Sequence, residues 1–408
     1  LLKVAKEQRL LTYSIMKQQG VDVVPTGTFS LYDHVLDTSD TFGIIPEAYA
    51  KSGLSPLDTY FAMARGHQKN GVDLPATEMK KWFDSNYHYL VPEFSESSTF
   101  HLNNTKPVDD FVEAKEAGYN PRPVIVGPLT LLWLGKCKGA NFDRLSLLPT
   151  LLRSYQALLT ALNDAKVDWV QLDEPILALD LPPEWLTAFH NTYQTLAATP
   201  LKLLLATYFG SVAEHADLLH SLPLAGVHLD LVRAPEQLAT VLQGWPQGRV
   251  LSAGLIDGRN IWRNDLSATL ARADTLRQLL GEQLWLAPSC NLLHTPVDLA
   301  QEVQLDVDLK SWLAFSVQKL NELKLLKRGL QQGRDSISNE LAASDFARQQ
   351  RRQHPRIHRA DVAQRVATLP ANSDRRHSPY PVRAVAQAAW LKLPLLPTTT
   401  IGSFPQTA

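Results

Sequence analysis

The chain has 408 residues, 45% of them hydrophobic, enough to bury one large core or two ordinary ones. Forty Lys and Arg against 41 Asp and Glu leave a formal net charge of -1, which excludes a global polyanion-seeking field, so any basic site must be local. Two cysteines, Cys137 and Cys290, exclude a disulfide framework and point to a reducing compartment, the cytoplasm, and no apolar run reaches the roughly 20 residues of a membrane span.

In chain order, "LLKVAKEQRLLTYSIMKQQG" alternates charge and Leu as an amphipathic helix does, unlike a signal peptide. Seven β-rich runs then follow, each closed by Gly, Pro or a polar residue: "VDVVPTG" (21–27), "PVIVGP" (123–128), "DWVQLDEP" (168–175), "LKLLLATY" (201–208), "AGVHLDLV" (225–232), "RVLSAGLIDG" (249–258) and "LWLAPSCN" (284–291). Helical patterns such as "LLPTLLRSYQALLTALNDA" and "APEQLATVLQGW" lie between them. Continuous apolar strands alternating with helices predict an α/β chain, a (β/α)8 barrel of the TIM type short of its first strand. The rival is a doubly wound sheet, but no G-x-G-x-x-G follows any strand.

The boundaries expected are a barrel over 1–321, a helical and basic segment over 322–393, and a linker with one further strand over 394–408. From Ser344 to Lys392 there are ten Lys or Arg against three Asp. That Arg-rich stretch lacks the aromatic interleaving of a nucleic-acid platform, so a solvated connecting face is expected. In "TTTIGSFPQTA", the β-branched run Thr398 to Ile401 reads as a strand, and Gly402, Ser403 and Pro405 as the turn leaving it.

Several motifs carry chemistry. In "QLDEP", Asp173 and Glu174 stand at the C-terminal end of a barrel strand, where such barrels carry their sites; adjacent strand residues point to opposite faces, so only one can face the mouth. Glu174 paired with Asp230 or Asp257 would suit a glycosidase, and the bland alternative is a carboxylate tying loops together. In "PSCNLLHTP", Cys290 and His294 are zinc-type donors without a third, and a small buried Cys is the simpler reading. "EMKKWFDSNYHYLVPEF" gathers Lys80, Lys81, Trp82, Phe83, Asn86, Tyr87 and His88, cations and aromatic faces suited to a flat heterocycle with an acidic tail; the bland reading is an amphipathic surface helix running into a strand. Asp33, His34 and Arg259 lie in loops expected at the same mouth, where Asp257 or Asn260 would equally cap a helix.

Taken together, "VDVVPTGTFSLYDHVLD", "EMKKWFDSNYHYLVPEF", "VGPLTLLWLGK", "WVQLDEP", "LLLATYF", "LSAGLIDGRNIWR", "LWLAPSCNLLHTP" and "TTTIGSFPQT" resemble the cobalamin-independent methionine synthase family across essentially the whole chain. The resemblance implies two face-to-face barrels that pass a methyl group from 5-methyltetrahydropteroyltri-L-glutamate to L-homocysteine, with a zinc ion and no cobalamin. The chain resembles the first barrel, so the zinc ligands would belong to a C-terminal catalytic barrel supplied in cis or trans, and a first strand with its basic stretch would precede Leu1. Lys81 matches the lysine of the family's "KWF" motif that binds the folate polyglutamate tail. Ile401, Gly402 and Ser403 match the "IGS" that contacts homocysteine or methionine. Cys290 sits where a duplicated barrel would carry a zinc-binding Cys, a vestige of the duplication. The chain alone is expected to be inactive, and no nucleic-acid or membrane partner is implied. A folate- or polyanion-binding barrel without chemistry, using Lys80, Lys81 and the Arg-rich segment, is the non-enzymic alternative. A low-ranked expectation is that Thr398 to Ile401 fills the place of the first strand.

Overall fold

The structure, a computed structural model, describes residues 1–69, 71–139, 142–400 and 402. Seven parallel strands form one sheet in chain order: β1 (Val24–Thr26), β2 (Pro121–Val126), β3 (Trp169–Asp173), β4 (Lys202–Ala206), β5 (Gly226–Asp230), β6 (Val250–Ile256) and β7 (Leu284–Pro288). Six fall inside the runs read from the sequence, and β2 begins two residues before its run at 123–128. The sheet curls as an eight-stranded barrel does, with β1 and β7 as its two edges. Centre and edge differ in burial as that arrangement requires: every residue of β6 is buried, whereas β7 is half-exposed along its length.

The helices wrap the sheet because their apolar residues recur on one stripe. They include α1 (Leu2–Gln18), α2 (His34–Thr41), α3 (Lys106–Glu116), α4 (Pro128–Leu134), α5 (Leu148–Asp164), α6 (Pro183–Leu196), α7 (Leu266–Leu280), α8 (Ser316–Gln332) and α9 (Ser338–Gln353). In α5 the buried set is Leu148, Leu151, Leu152, Tyr155, Leu158, Leu159 and Leu162, a spacing of three and four that places all of them on the core. Strand alternation sorts β3: Val170 and Leu172 are fully buried among the apolar residues of the main core, while Trp169, Gln171 and Asp173 share the opposite face. That inner face is polar and aromatic. Arg122 donates to Gln171 (2.8 Å), Gln171 donates to Asp173 (2.7 Å), and the Trp169 and Trp285 rings meet at 4.7 Å.

Two compact units divide at Gln349/Gln350. The first therefore runs past the boundary of 321 expected from composition. Leu325, Leu326, Ile337 and Leu341 of the following helical stretch are buried with Ile256, Leu266 and Leu270, which ties α8, and α9 as far as Gln349, into this unit. In the second unit the basic stretch, read as free of any strand pattern within a helical and basic segment, forms two helices, α10 (Ala360–Ala367) and α11 (Tyr380–Leu391).

Two expectations are corrected. Thr398–Thr400 are exposed and carry no strand ladder: a β-branched run is a strand only when a neighbour takes its backbone hydrogen bonds. Ile401, the rest of that strand reading, lies outside the described residues. Secondly, "EMKKWFDSNYHYL" is no surface helix. Met79–Lys81 pairs antiparallel with His88–Leu90, with Lys81 opposite His88, in a hairpin inserted between β1 and β2. No described helix is long and apolar enough to cross a membrane.

Candidate functional site

The C-terminal ends of the strands open onto a cleft of about 800 Å³, counting space open to solvent, lined by His34, Trp82, Lys106, Asp173, Tyr208 and His294 among others. Each wall has a local cause. Asp33 caps α2 by accepting from the Val35 and Leu36 amides (2.8 and 2.9 Å), and its other oxygen accepts from the Leu90 amide (3.1 Å), so one carboxylate fixes both His34 and the hairpin. Trp82, at the hairpin turn, is 2% exposed and meets the His34 ring edge-on at 4.4 Å. Tyr208, just past β4, donates to the second oxygen of Asp173 (3.0 Å).

Burial governs the charges here. His34 is pushed down to about 3, first by burial and then by His294, while burial and the Arg259 guanidinium lower His294 to about 4, so both imidazoles are neutral at pH 7. Asp173 is raised to about 6 by burial, against the hydrogen bonds from Gln171 and Tyr208 and the attraction of Arg122. On the far side of the cleft, Lys106 pairs with Asp110 (2.6 Å) and with Asp37 (3.5 Å).

Of the two adjacent carboxylates, Asp173 faces the cleft and Glu174 faces away. Glu174 is fully buried at the N-terminus of α4. It accepts from the Leu129 and Thr130 amides (3.2 and 2.7 Å), the Thr130 hydroxyl (2.5 Å) and the Tyr193 hydroxyl (3.4 Å). The loop-tying reading is therefore the right one for Glu174, because two orphan amides at a helix start and two hydroxyls hold it. Gly127 makes room for it: a Cβ there would lie 2.1 Å from the Glu174 carboxyl carbon. The glycosidase reading loses its proton donor. Its proposed partners are also engaged: Asp230 accepts from the Phe209, Val232 and Arg233 amides, and Asp257 from Asn260 and the Arg259 amide.

The comparisons with known proteins bear on this frame. The family model described as "Cobalamin-independent synthase, N-terminal domain" matches residues 1–281. A 5-methyltetrahydropteroyltriglutamate–homocysteine methyltransferase of Acidithiobacillus ferrooxidans is 50% identical over 97% of this chain and 54% of its own length. The protein of the same name from Actinobacillus pleuropneumoniae serotype 5b is 52% identical over 100% and 53%. The chain belongs to the cobalamin-independent methionine synthase family. It spans about half the length of these relatives. A B12-independent methionine synthase of Shewanella sp. W3-18-1, solved in complex with selenomethionine, shares the fold with a TM-score of 0.52 at 14% identity, covering 84% of this chain and 90% of that one.

Within the methionine synthase frame, Lys81 lies exposed at the end of the first hairpin strand. The other cations around the hairpin are paired: Lys136 with Glu78 (2.5 Å), Lys138 with Glu93 (3.0 Å), and Arg233 and Arg259 with Asp84 (2.9 and 2.8 Å). Lys81 has no ion pair with a carboxylate among the described residues, whereas Lys80, exposed beside it, helps Lys136 to hold the Glu78 carboxyl below its ordinary value. Gly402 is an exposed bend, and its expected partners Ile401 and Ser403 lie outside the described residues.

Cys290 tests the fit of a zinc ion. A zinc site wants three or four N, S or O side-chain donors, and a thiol among them must be ionised. Cys290 is 6% exposed, lies against Ser289 and the Asn291 carbonyl, and is pushed up to about 12 by burial. Among the described residues no three His, Cys, Asp or Glu side chains gather into a metal-holding group, so this surrounding does not fit zinc. A thiol-specific reagent at pH 8 is accordingly expected to label half-buried Cys137 readily, and Cys290 only once the protein is unfolded. Prompt labelling of two thiols in the folded chain would contradict the buried placement.

Sequence reasoning found His34, Lys81, Trp82, Asp173 and Arg259 but passed over Asp84, Tyr208, Phe209 and Arg233. The signal for Asp84 was at hand: it is the one acid between Lys81 and Tyr87 in a block rich in cations and rings.

Proposed function

We propose that this chain is the folate-side barrel of a methionine synthase, in which 5-methyltetrahydropteroyltri-L-glutamate gives its methyl group to L-homocysteine. The observation that carries this reading is Lys81, exposed on the hairpin above the strand ends and without an ion-pair partner among the described residues, beside Lys136, Lys138, Arg233 and Arg259, which are each paired with a carboxylate. A poly-γ-glutamate tail carries several carboxylates, and an exposed ammonium with no internal partner is free to pair with one of them. The neutral imidazoles and aromatic rings of the cleft suit an uncharged, flat ligand part.

Methyl transfer itself needs a thiolate nucleophile and a proton for the departing nitrogen. The part proposed for this chain is to hold the tail, with Gly402 and its neighbours at one edge of the homocysteine site and the zinc on a C-terminal catalytic barrel. Two unpaired thiols suit a cytoplasmic setting. By itself the chain is then a binding protein: with methyl donor, homocysteine and zinc added, it should form no methionine at enzymic rates.

Calorimetry with the tri- and monoglutamate forms tests the reading. The wild type should prefer the triglutamate, and Lys81→Ala should weaken it about five- to tenfold, the worth of one exposed charge pair of roughly 1 kcal/mol. Equal affinity for both forms, or no effect of Lys81→Ala, would reject it.

A further inference from the structure

We propose that Asp84 is a positioning residue for this site: it clamps the hairpin that carries Lys81 and Trp82 onto two strand ends of the barrel. The inference rests on the Lys81 reading above and adds to it what holds that lysine in place.

Three donors from two separate loops converge on this one residue. Arg259, after β6, donates to one carboxylate oxygen of Asp84 (2.8 Å) and to its backbone carbonyl (3.0 Å). Arg233, after β5, donates to the other oxygen (2.9 Å). Both carboxylate oxygens are thus engaged, by residues 149 and 175 positions away in the chain. The Arg259 guanidinium also lies over the Phe209 ring, 4.6 Å from its centre, and Phe209 in turn meets Phe83 at 6.0 Å.

The backbone on both sides of this contact is strained. Phe83 has φ of 52° and Phe209 of 75°, left-handed conformations that are unfavourable for a non-glycine residue. Such strain persists where surrounding contacts over-determine it, and the Asp84 bonds, the stacked guanidinium and the buried Trp82 provide those contacts. An isolated surface ion pair would be worth little. This one closes a circuit: strand end, arginine, carboxylate, strained phenylalanine, and back to the next strand end. Lys81 is three residues from Asp84, so its Cα is at most about 11 Å away along the chain, and Trp82 between them seals the cleft against His34. Where the clamp sets the turn, it also sets the lysine.

The charge of Asp84 makes the idea sharply testable. Asp84→Asn keeps the size and removes a negative charge. By Coulomb attraction alone it leaves two freed arginines beside Lys81 and should tighten a polyanionic tail; loss of position should loosen it. The expected result is a triglutamate affinity about fivefold weaker and a monoglutamate affinity changed less than about twofold, the loss being confined to the charged tail. Amide exchange over residues 79–90 should quicken while β3 to β6 keep their protection. Asp84→Glu should recover part of the affinity. Unchanged or tighter triglutamate binding by Asp84→Asn, or weaker binding with exchange over 79–90 unaltered, overturns the clamp. Should that variant not fold, Arg233→Gln on an exposed side chain carries the exchange test, and unaltered exchange there overturns the proposal equally. A wild type indifferent to tail length brings down the Lys81 reading and the clamp with it; a wild type and Lys81→Ala that behave as expected, beside an Asp84→Asn that does not, brings down the clamp alone.

Discussion

Glu174→Ala should lower the unfolding free energy of the first unit by about 3–5 kcal/mol, read from urea transitions, because it strands two helix-start amides and two hydroxyls in a dry interior and leaves a cavity. A loss below 1 kcal/mol would mean that the carboxylate is not the cap described. The same residue carries a pH signature. Burial raises Glu174 from 4.5 to about 7, so between those values the folded chain holds a proton that the unfolded chain has released. Its contribution is complete below pH 4.5 and is lost as pH rises through 7, a difference of order 3 kcal/mol. Asp33 and Glu322, each raised to about 7, act in the same direction, whereas His34, held near 3, adds stability as pH climbs from about 3 to 6.5. The clean measurement is therefore the difference between wild type and Glu174→Gln, which cannot ionise: the wild type alone should show the Glu174 component, and parallel stability curves across that window would refute the assignment.

Asp33→Ala should cost about 2–3 kcal/mol, the sum of a lost helix cap and an unsatisfied strand amide, whereas Asp33→Asn, as good a cap, should cost about 1. Since its two oxygens join α2 to the hairpin at Leu90, the alanine variant should also speed amide exchange over residues 79–90. Equal losses for both variants would show that the charge, and not the cap, matters.

How legible all this was depended on range. The seven strands were readable because each is a short apolar run with a turn residue behind it, and α5 because its leucines keep one stripe over 17 residues. The alternation rule foresaw that only one of Asp173 and Glu174 could face the mouth. It had no means of choosing, since the choice depends on α4, whose amides capture Glu174. The hairpin at 79–90 was opaque because three-residue strands show no period, and its ring and lysine content also suits a helix face. The run at 398–400 misled for the opposite reason, having strand propensity without a partner. The Asp84 cluster joins three loops far apart in sequence, and nothing local in any of them announces the other two.

The packing of Gly127 against Glu174 reaches beyond this chain. The glycine φ is an ordinary -68°, so its backbone would admit any residue, and only the carboxylate 2.1 Å from the would-be Cβ forbids one. Positions 127 and 174 should therefore change together through evolution: a lineage that shortens the acid gains freedom at the glycine, and one that keeps the acid keeps the glycine. An alignment of relatives in which side chains appear at 127 opposite an unchanged Glu would show that this part of the barrel can be built in a second way.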